Sequence, residues 1–136
     1  AARNAGVITA DEFAVFQNAG YMGLYGGMTV DDLHRKKNLE VGQKILDYMG
    51  STELIANLFR ISQTEEKLRK DSVNSADTAT AVHYKVGSEV REAIEKIGGT
   101  MPEDLPTPKK SIAQLEKEQL QRLKQQALDG QLMLDE

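Results

Sequence analysis

The stretch Gly50-Ser51-Thr52-Glu53-Leu54-Ile55-Ala56-Asn57-Leu58-Phe59-Arg60-Ile61-Ser62-Gln63-Thr64-Glu65-Glu66-Lys67-Leu68 decides the fold class. Leu54, Ile55, Leu58 and Phe59 recur at the three-to-four-residue period of a helix that lies on a core. Ser51 stands where a helix cap is wanted, so the spacing predicts a helix from there to about Lys70. Asp71 to Asn74 reads as a polar turn. Ser75 caps a second long helix, in which Ala79, Val82, Val86, Val90, Ala93, Ile94 and Ile97 form one stripe and Gly98-Gly99 ends the run. This stripe makes the helix over 75–97 the expected centre of the core. Gly87 within it costs about 1 kcal/mol relative to Ala, and close approach of a neighbouring helix would explain it.

Further out, the same signals continue. Thr9 and Glu12 have capping-box spacing and open a helix through Phe13, Val15 and Phe16, with Gly20 as its natural stop. Residues 20–27 hold four glycines among Tyr21, Met22, Leu24 and Tyr25, and read as a packed connector whose aromatics return to the core. Thr29 and Asp32 repeat the capping pattern before a short helix to about Lys37. A further helix is expected over 39–49. Pro102, Pro106 and Pro108 make residues 100–110 an extended strap. Ser111 and Gln114 then open a last helix to about Leu128, whose apolar phase breaks between Leu115 and Leu120, so it carries no continuous coiled-coil seam. The expected architecture is all-α: a compact bundle of five to six helices with a Pro-rich strap and a C-terminal helical arm, divided into a helical domain over 1–108 and the arm over 109–136.

Composition narrows the chemistry. Hydrophobic residues make up 40% of the 136 and charged residues 28%, enough for one domain with a core of its own. There is no Cys, which removes disulfides, thiolate zinc sites and cysteine nucleophiles and fits a reducing compartment. No apolar run approaches the roughly 18 residues of a membrane span. The first residue is Ala rather than Met, so a fragment or processed product is expected. His34 and His83 are far apart and belong to no HExxH or nucleophile motif, and adjacent carboxylates such as Glu65-Glu66 diverge on a helix. No enzyme, no metal and no cofactor is expected. A net charge of −4 argues against a nucleic-acid-binding surface over the whole molecule. His34-Arg35-Lys36-Lys37 is a short cationic cluster, most simply explained by its position at a helix C-terminus. Arg35, Lys36, Lys37, Lys44 and Arg60 are the residues from which a partner or nucleic-acid contact face would be built, and they allow at most weak, salt-labile DNA binding.

Several sequence words carry a resemblance. Phe16-Gln17-Asn18, Gly20-Tyr21-Met22-Gly23-Leu24-Tyr25-Gly26-Gly27, the 50–68 stretch and Gly98-Gly99-Thr100-Met101-Pro102-Glu103-Asp104-Leu105-Pro106-Thr107-Pro108 resemble the C-terminal half of the DNA-damage-inducible protein D (DinD) family, from about Asn4 to Leu115. Residues 116–136 match no such word. The resemblance implies a bacterial, cytoplasmic protein of the SOS response, without a catalytic motif, that binds and modulates RecA or RecA–single-stranded-DNA filaments. It also implies an N-terminal Bro-N-like domain, as in phage antirepressors, that this chain lacks. The alternative by the same kinship is a DNA-binding, antirepressor-like transcription regulator. An enzyme such as a nuclease is a third reading, which would need carboxylates clustered around a metal. The arm, with Ile112, Leu115, Leu120, Leu123 and Leu128, is expected to mediate self-association, as in a homodimer, or partner docking.

Overall fold

The computed structural model describes residues 2–135, with side chains through Gly130. Its helices are α1 (Ala10–Leu24), α2 (Val30–Lys36), α3 (Ser51–Lys70), α4 (Ala76–Ile97) and α5 (Ile112–Asp135), joined by short 3-10 turns at Arg3–Ala5, Ile45–Tyr48 and Pro102–Asp104. Among the described residues there is no strand. The all-α class and the bundle architecture are as the sequence predicts.

The starts of α1 and α2 follow from their caps. Thr9 and Glu12 form a complete capping box, as do Thr29 and Asp32, with each side chain satisfying the other's backbone N–H. Ser75 caps α4, and Gly98 closes it in the left-handed conformation at φ 84°. Ser111 accepts from the Gln114 N–H at the start of α5.

Four boundaries depart from the sequence reading. Helix α1 does not stop at Gly20 but runs through the glycine-rich stretch to Leu24. The cap of α3 is Gly50, and Ser51 is its first helical residue. Residues 39–49 form no continuous helix, only turns and the 3-10 segment at Ile45–Tyr48. Helix α5 extends past Leu128 to Asp135.

Glycine explains the persistence of α1. Helices α1 and α4 make the most extensive pairing in the molecule, and they meet through Gly20, Gly23 and Gly87. A Cβ on Gly87 would lie 2.8 Å from the Gly20 carbonyl oxygen and 2.9 Å from the Leu24 nitrogen. One on Gly23 would lie 2.3 Å from the Tyr84 carbonyl oxygen. Backbone-to-backbone contact of this kind is open only to glycine, and tertiary contact outweighs its low helix propensity.

Two apolar clusters result. One gathers Tyr21, Leu24, Tyr25, Leu33, Ile45, Met49 and Val90, so the aromatics of the glycine-rich stretch do return to the core. The other gathers Ala5, Val7, Phe16, Leu68 and Ala79 at the opposite end of the α1–α4 pair. Helix α4 is central, but its buried edge is Ala79, His83, Gly87 and Val90. Of the predicted stripe, Val82, Val86 and Ile94 are half-buried and Ile97 is exposed.

Candidate interaction surface

Of the apolar stripe predicted for helix α3 only Leu54 packs against the core, half-buried; the rest of the stripe is turned away from it. The face it turns inward is polar: Glu53, Asn57, Arg60 and Thr64, followed by Leu68. Its apolar residues Ile55, Leu58 and Phe59 face outward, with Ile55 66% exposed. Glu53, by contrast, is 1% exposed and Arg60 2%.

Burying four polar side chains costs several kcal/mol unless each finds partners. Each does. Lys37 reaches in from the end of α2, and its Nζ lies 2.8 Å from Glu53 Oε1. Lys37 Nζ also donates to the Tyr48 carbonyl and to Thr107 Oγ1 on the strap. The Tyr25 hydroxyl donates to Glu53 Oε2 and accepts from Asn57 Nδ2. Burial, reinforced by the Glu53 carboxylate, raises the Tyr25 pKa far above its ordinary value, so it stays a phenol. Asn57 Oδ1 in turn accepts from Arg60 Nη2 at 2.9 Å. Thr64 donates to the Arg60 carbonyl within the helix.

Arg60 ends the series. Its guanidinium lies over the Tyr21 ring, 4.6 Å from the centroid, and its Nη1 is 2.6 Å from His83 Nε2. His83 Nδ1 is 2.8 Å from the Phe16 carbonyl oxygen, so Nδ1 carries the proton and Nε2 accepts from Arg60. That assignment agrees with the pKa of His83, which burial and then the Arg60 charge push down to about 4. Burial also pulls Arg60 below its usual value. Among the described residues Arg60 has no carboxylate within ion-pair distance, and its Nε is the one buried side-chain nitrogen or oxygen without a partner.

The five basic positions read from the sequence are therefore not one face. Lys37 and Arg60 lie inside, committed to Glu53 and to His83 and Asn57. Arg35 is exposed and paired with Asp32. Lys36 and Lys44 are exposed. The buried set that sequence reasoning passed over, Tyr25, Glu53, Asn57 and Thr64, carried a signal of its own. Positions 53, 57, 60 and 64 are also at helical spacing, but polar.

What this arrangement offers chemically is a rigid scaffold. The strap crosses beside it, with Pro102 buried and Arg91 bridging Glu103 at 2.8 Å while donating to the Leu24 carbonyl. A cleft of about 350 Å³ lies under the strap between Lys36, Lys37, Glu53 and Asp104, and the charged Lys37 and Glu53 on its wall are already paired. Among the described residues no group of three or more His, Asp or Glu side chains is placed to hold a metal ion. No described helix is long and apolar enough to cross a membrane.

The fold and site define an all-helical domain that keeps its charged and polar side chains in the interior of α3 and presents apolar ones outside. The chain belongs to the DinD family: the family's C-terminal domain matches residues 1–115. It is 60% identical over 116 residues to the DNA damage-inducible protein D of Escherichia coli strain K12. That match covers 85% of this chain and 42% of the relative, so the chain spans less than half of the relative's length. No solved structure matches it.

Proposed function

We propose that this chain is a non-enzymatic, cytoplasmic interaction module of the bacterial DNA-damage (SOS) response that binds RecA or RecA–single-stranded-DNA filaments. Kinship with a DNA damage-inducible protein supports the response. One structural observation carries the mode of action. Ile55 and Leu58 stand exposed on the outer side of a helix whose inner side is buried against Lys37, Tyr25 and His83. Apolar residues repeated on one outward helix face are what a protein-docking surface uses. The antirepressor-like DNA-binding reading has less support, because two of the five basic side chains it needs are buried.

The test is co-sedimentation of the chain with RecA filaments and, separately, with bare single-stranded DNA. Binding to filaments, absent on bare DNA and lost in Ile55→Ser with Leu58→Ser, is the expected result. Equal retention by bare DNA would favour the DNA-binding reading, and no retention by either would refute both.

A further inference from the structure

Arg60 carries a buried charge without a counterion. It is 2% exposed, and among the described residues no carboxylate lies within ion-pair distance of it. Its neighbours hold it still without neutralising it. Nη1 is on His83 Nε2, Nη2 is on Asn57 Oδ1, and the guanidinium rests over the Tyr21 ring. A Cβ on Gly20 would collide with Nη1 and with the His83 ring, so the group is also wedged from the side of α1. Every one of these partners is neutral, and the face of Tyr21 offsets only part of the cost of taking a cation out of water. The Nε hydrogen has no acceptor. Arg60 and His83 line the inner end of a pocket of about 190 Å³ between α1 and α3. Buried Phe16 and Leu68 lie there with them, and half-buried Leu46 and Ile61 extend the apolar wall. Phe13, Gln17 and Glu65, all exposed, stand at the mouth.

We infer that this pocket binds a small monocarboxylic acid with an apolar body, its carboxylate on Arg60 and its body against Phe13, Phe16 and Leu68. An apolar chamber with a few fixed polar groups is the ordinary make-up of a small-molecule site. Arg offers N–H groups in a planar fork that suits a carboxylate, and here His83 and Asn57 fix the fork while leaving Nε over. A phosphate would find no second cation among the lining residues, and it would pass the Glu65 carboxylate at the mouth. An Asp or Glu side chain of another protein would bring the charge but only one or two methylenes, which leaves the apolar wall unfilled. Size sets the class further. An apolar cavity of about 150 Å³ holds benzene, so about 190 Å³ has room for an ion the size of benzoate and none for a long acyl chain. Glu65, one turn along α3 from Arg60, is exposed and makes no ion pair with it, so the chain's own carboxylate does not occupy the place.

Sodium benzoate titrated into the isotope-labelled 136-residue chain near neutral pH, followed by NMR, tests this without RecA or DNA, so its outcome is independent of the filament proposal. Saturating shifts at Phe16, Arg60, Leu68 and the His83 ring are expected. Benzamide, which keeps the ring and drops the charge, and acetate, which keeps the charge and drops the ring, are each expected to bind about tenfold more weakly or worse. Arg60→Met is expected to abolish binding with unchanged helical circular dichroism. Where Arg60→Met loses helicity, Phe13→Asp, at the exposed mouth, replaces it and is expected to weaken benzoate by a similar factor. Glu65→Gln is expected to leave binding in place. Shifts that do not saturate overturn the inference, and mean that water alone serves the Nε hydrogen. Benzamide binding as tightly as benzoate overturns it, because the charge is then not read. Acetate binding as tightly overturns it too, because a bare carboxylate, such as an acidic side chain, then suffices. So do a substituted chain, Arg60→Met or its Phe13→Asp replacement, that binds like the parent, and binding seen only in Glu65→Gln, which would make Glu65 the occupant.

Discussion

His83 Nε2 accepts a hydrogen bond from Arg60 Nη1 at 2.6 Å, so the one histidine in the core is held neutral by its burial and by the cation beside it. The relationship is asymmetric. Arg60 does not release its proton, and His83 cannot take one without facing a second positive charge in a dry site.

Stability should therefore fall as the solution is acidified. The His83 pKa is lowered from 6.5 to about 4, by burial first and by Arg60 second, against the Phe16 carbonyl, which raises it. The unfolded chain takes up this proton as pH drops through about 6.5, and the folded chain only near 4. The contribution is thus complete above pH 6.5 and is lost between there and about 4, by up to roughly 3 kcal/mol. Urea melts at about pH 7 and about pH 5 check it. In Arg60→Met the imidazole loses its cationic neighbour, and its titration, followed by NMR, should move back toward 6.5.

Gly87→Ala is expected to destabilise the domain although Ala is the better helix former. The gain in propensity is about 1 kcal/mol. Against it, the new methyl would sit 2.8 Å from one backbone atom of α1 and 2.9 Å from another, and forced overpacking of this kind costs about 1–3 kcal/mol or more. Gly130→Ala, with nothing within 4 Å, is the control and should not lower stability. A melt in which Gly87→Ala matches the parent would mean that α1 and α4 are not in backbone contact.

The ion pair beneath the strap gives a third outcome. Lys37→Ala strands Glu53, which is 1% exposed, and should cost about 3–5 kcal/mol. Adding Glu53→Gln to Lys37→Met keeps an acceptor for the Tyr25 hydroxyl and removes the stranded charge, so the double variant should recover much of the loss. Chemical denaturation of both variants, read as a pair, decides it.

The orientation of α3 is checked by one substitution on it, with a core position of α4 as the control. Leu58→Ser, on the outer side, should change stability by no more than about 0.5 kcal/mol. Val90→Ala, in the core beside Leu24 and Tyr25, should cost about 1–3 kcal/mol. A large loss in Leu58→Ser would put the apolar side of α3 inside.

Much of the fold was legible from local chemistry. Thr9 with Glu12, Thr29 with Asp32, Ser75 and Gly98 act within one turn of the chain, and they mark α1, α2 and α4 where the structure has them. Gly87 was legible as a close approach. Gly20 was not legible as mid-helix, because what presses against it, the side chains of His83 on α4 and Arg60 on α3, comes from far along the chain. The direction of α3 was hidden for a related reason. Periodicity reveals that a helix has two faces, but which one is buried depends on what meets it. Lys37, Tyr25 and His83 satisfy the polar face, and no spacing within 50–68 announces them. The basic positions failed to assemble into one face for the same cause: Lys37 and Arg60 are partners of that hidden network.

A helix that buries Glu53, Asn57, Arg60 and Thr64 and leaves Ile55, Leu58 and Phe59 in water also reshapes the thermal behaviour of the domain. Exposing apolar surface on unfolding raises heat capacity, while exposing polar surface lowers it. Here much of the apolar surface of α3 is hydrated before unfolding begins, and a large part of the surface newly released is polar. The heat-capacity increment should lie below the usual 12–15 cal/mol/K per residue, which flattens the dependence of stability on temperature. Such a domain would hold a nearly constant margin of stability across a wide range of temperatures, and its resistance to cold should exceed what its modest apolar core alone would give.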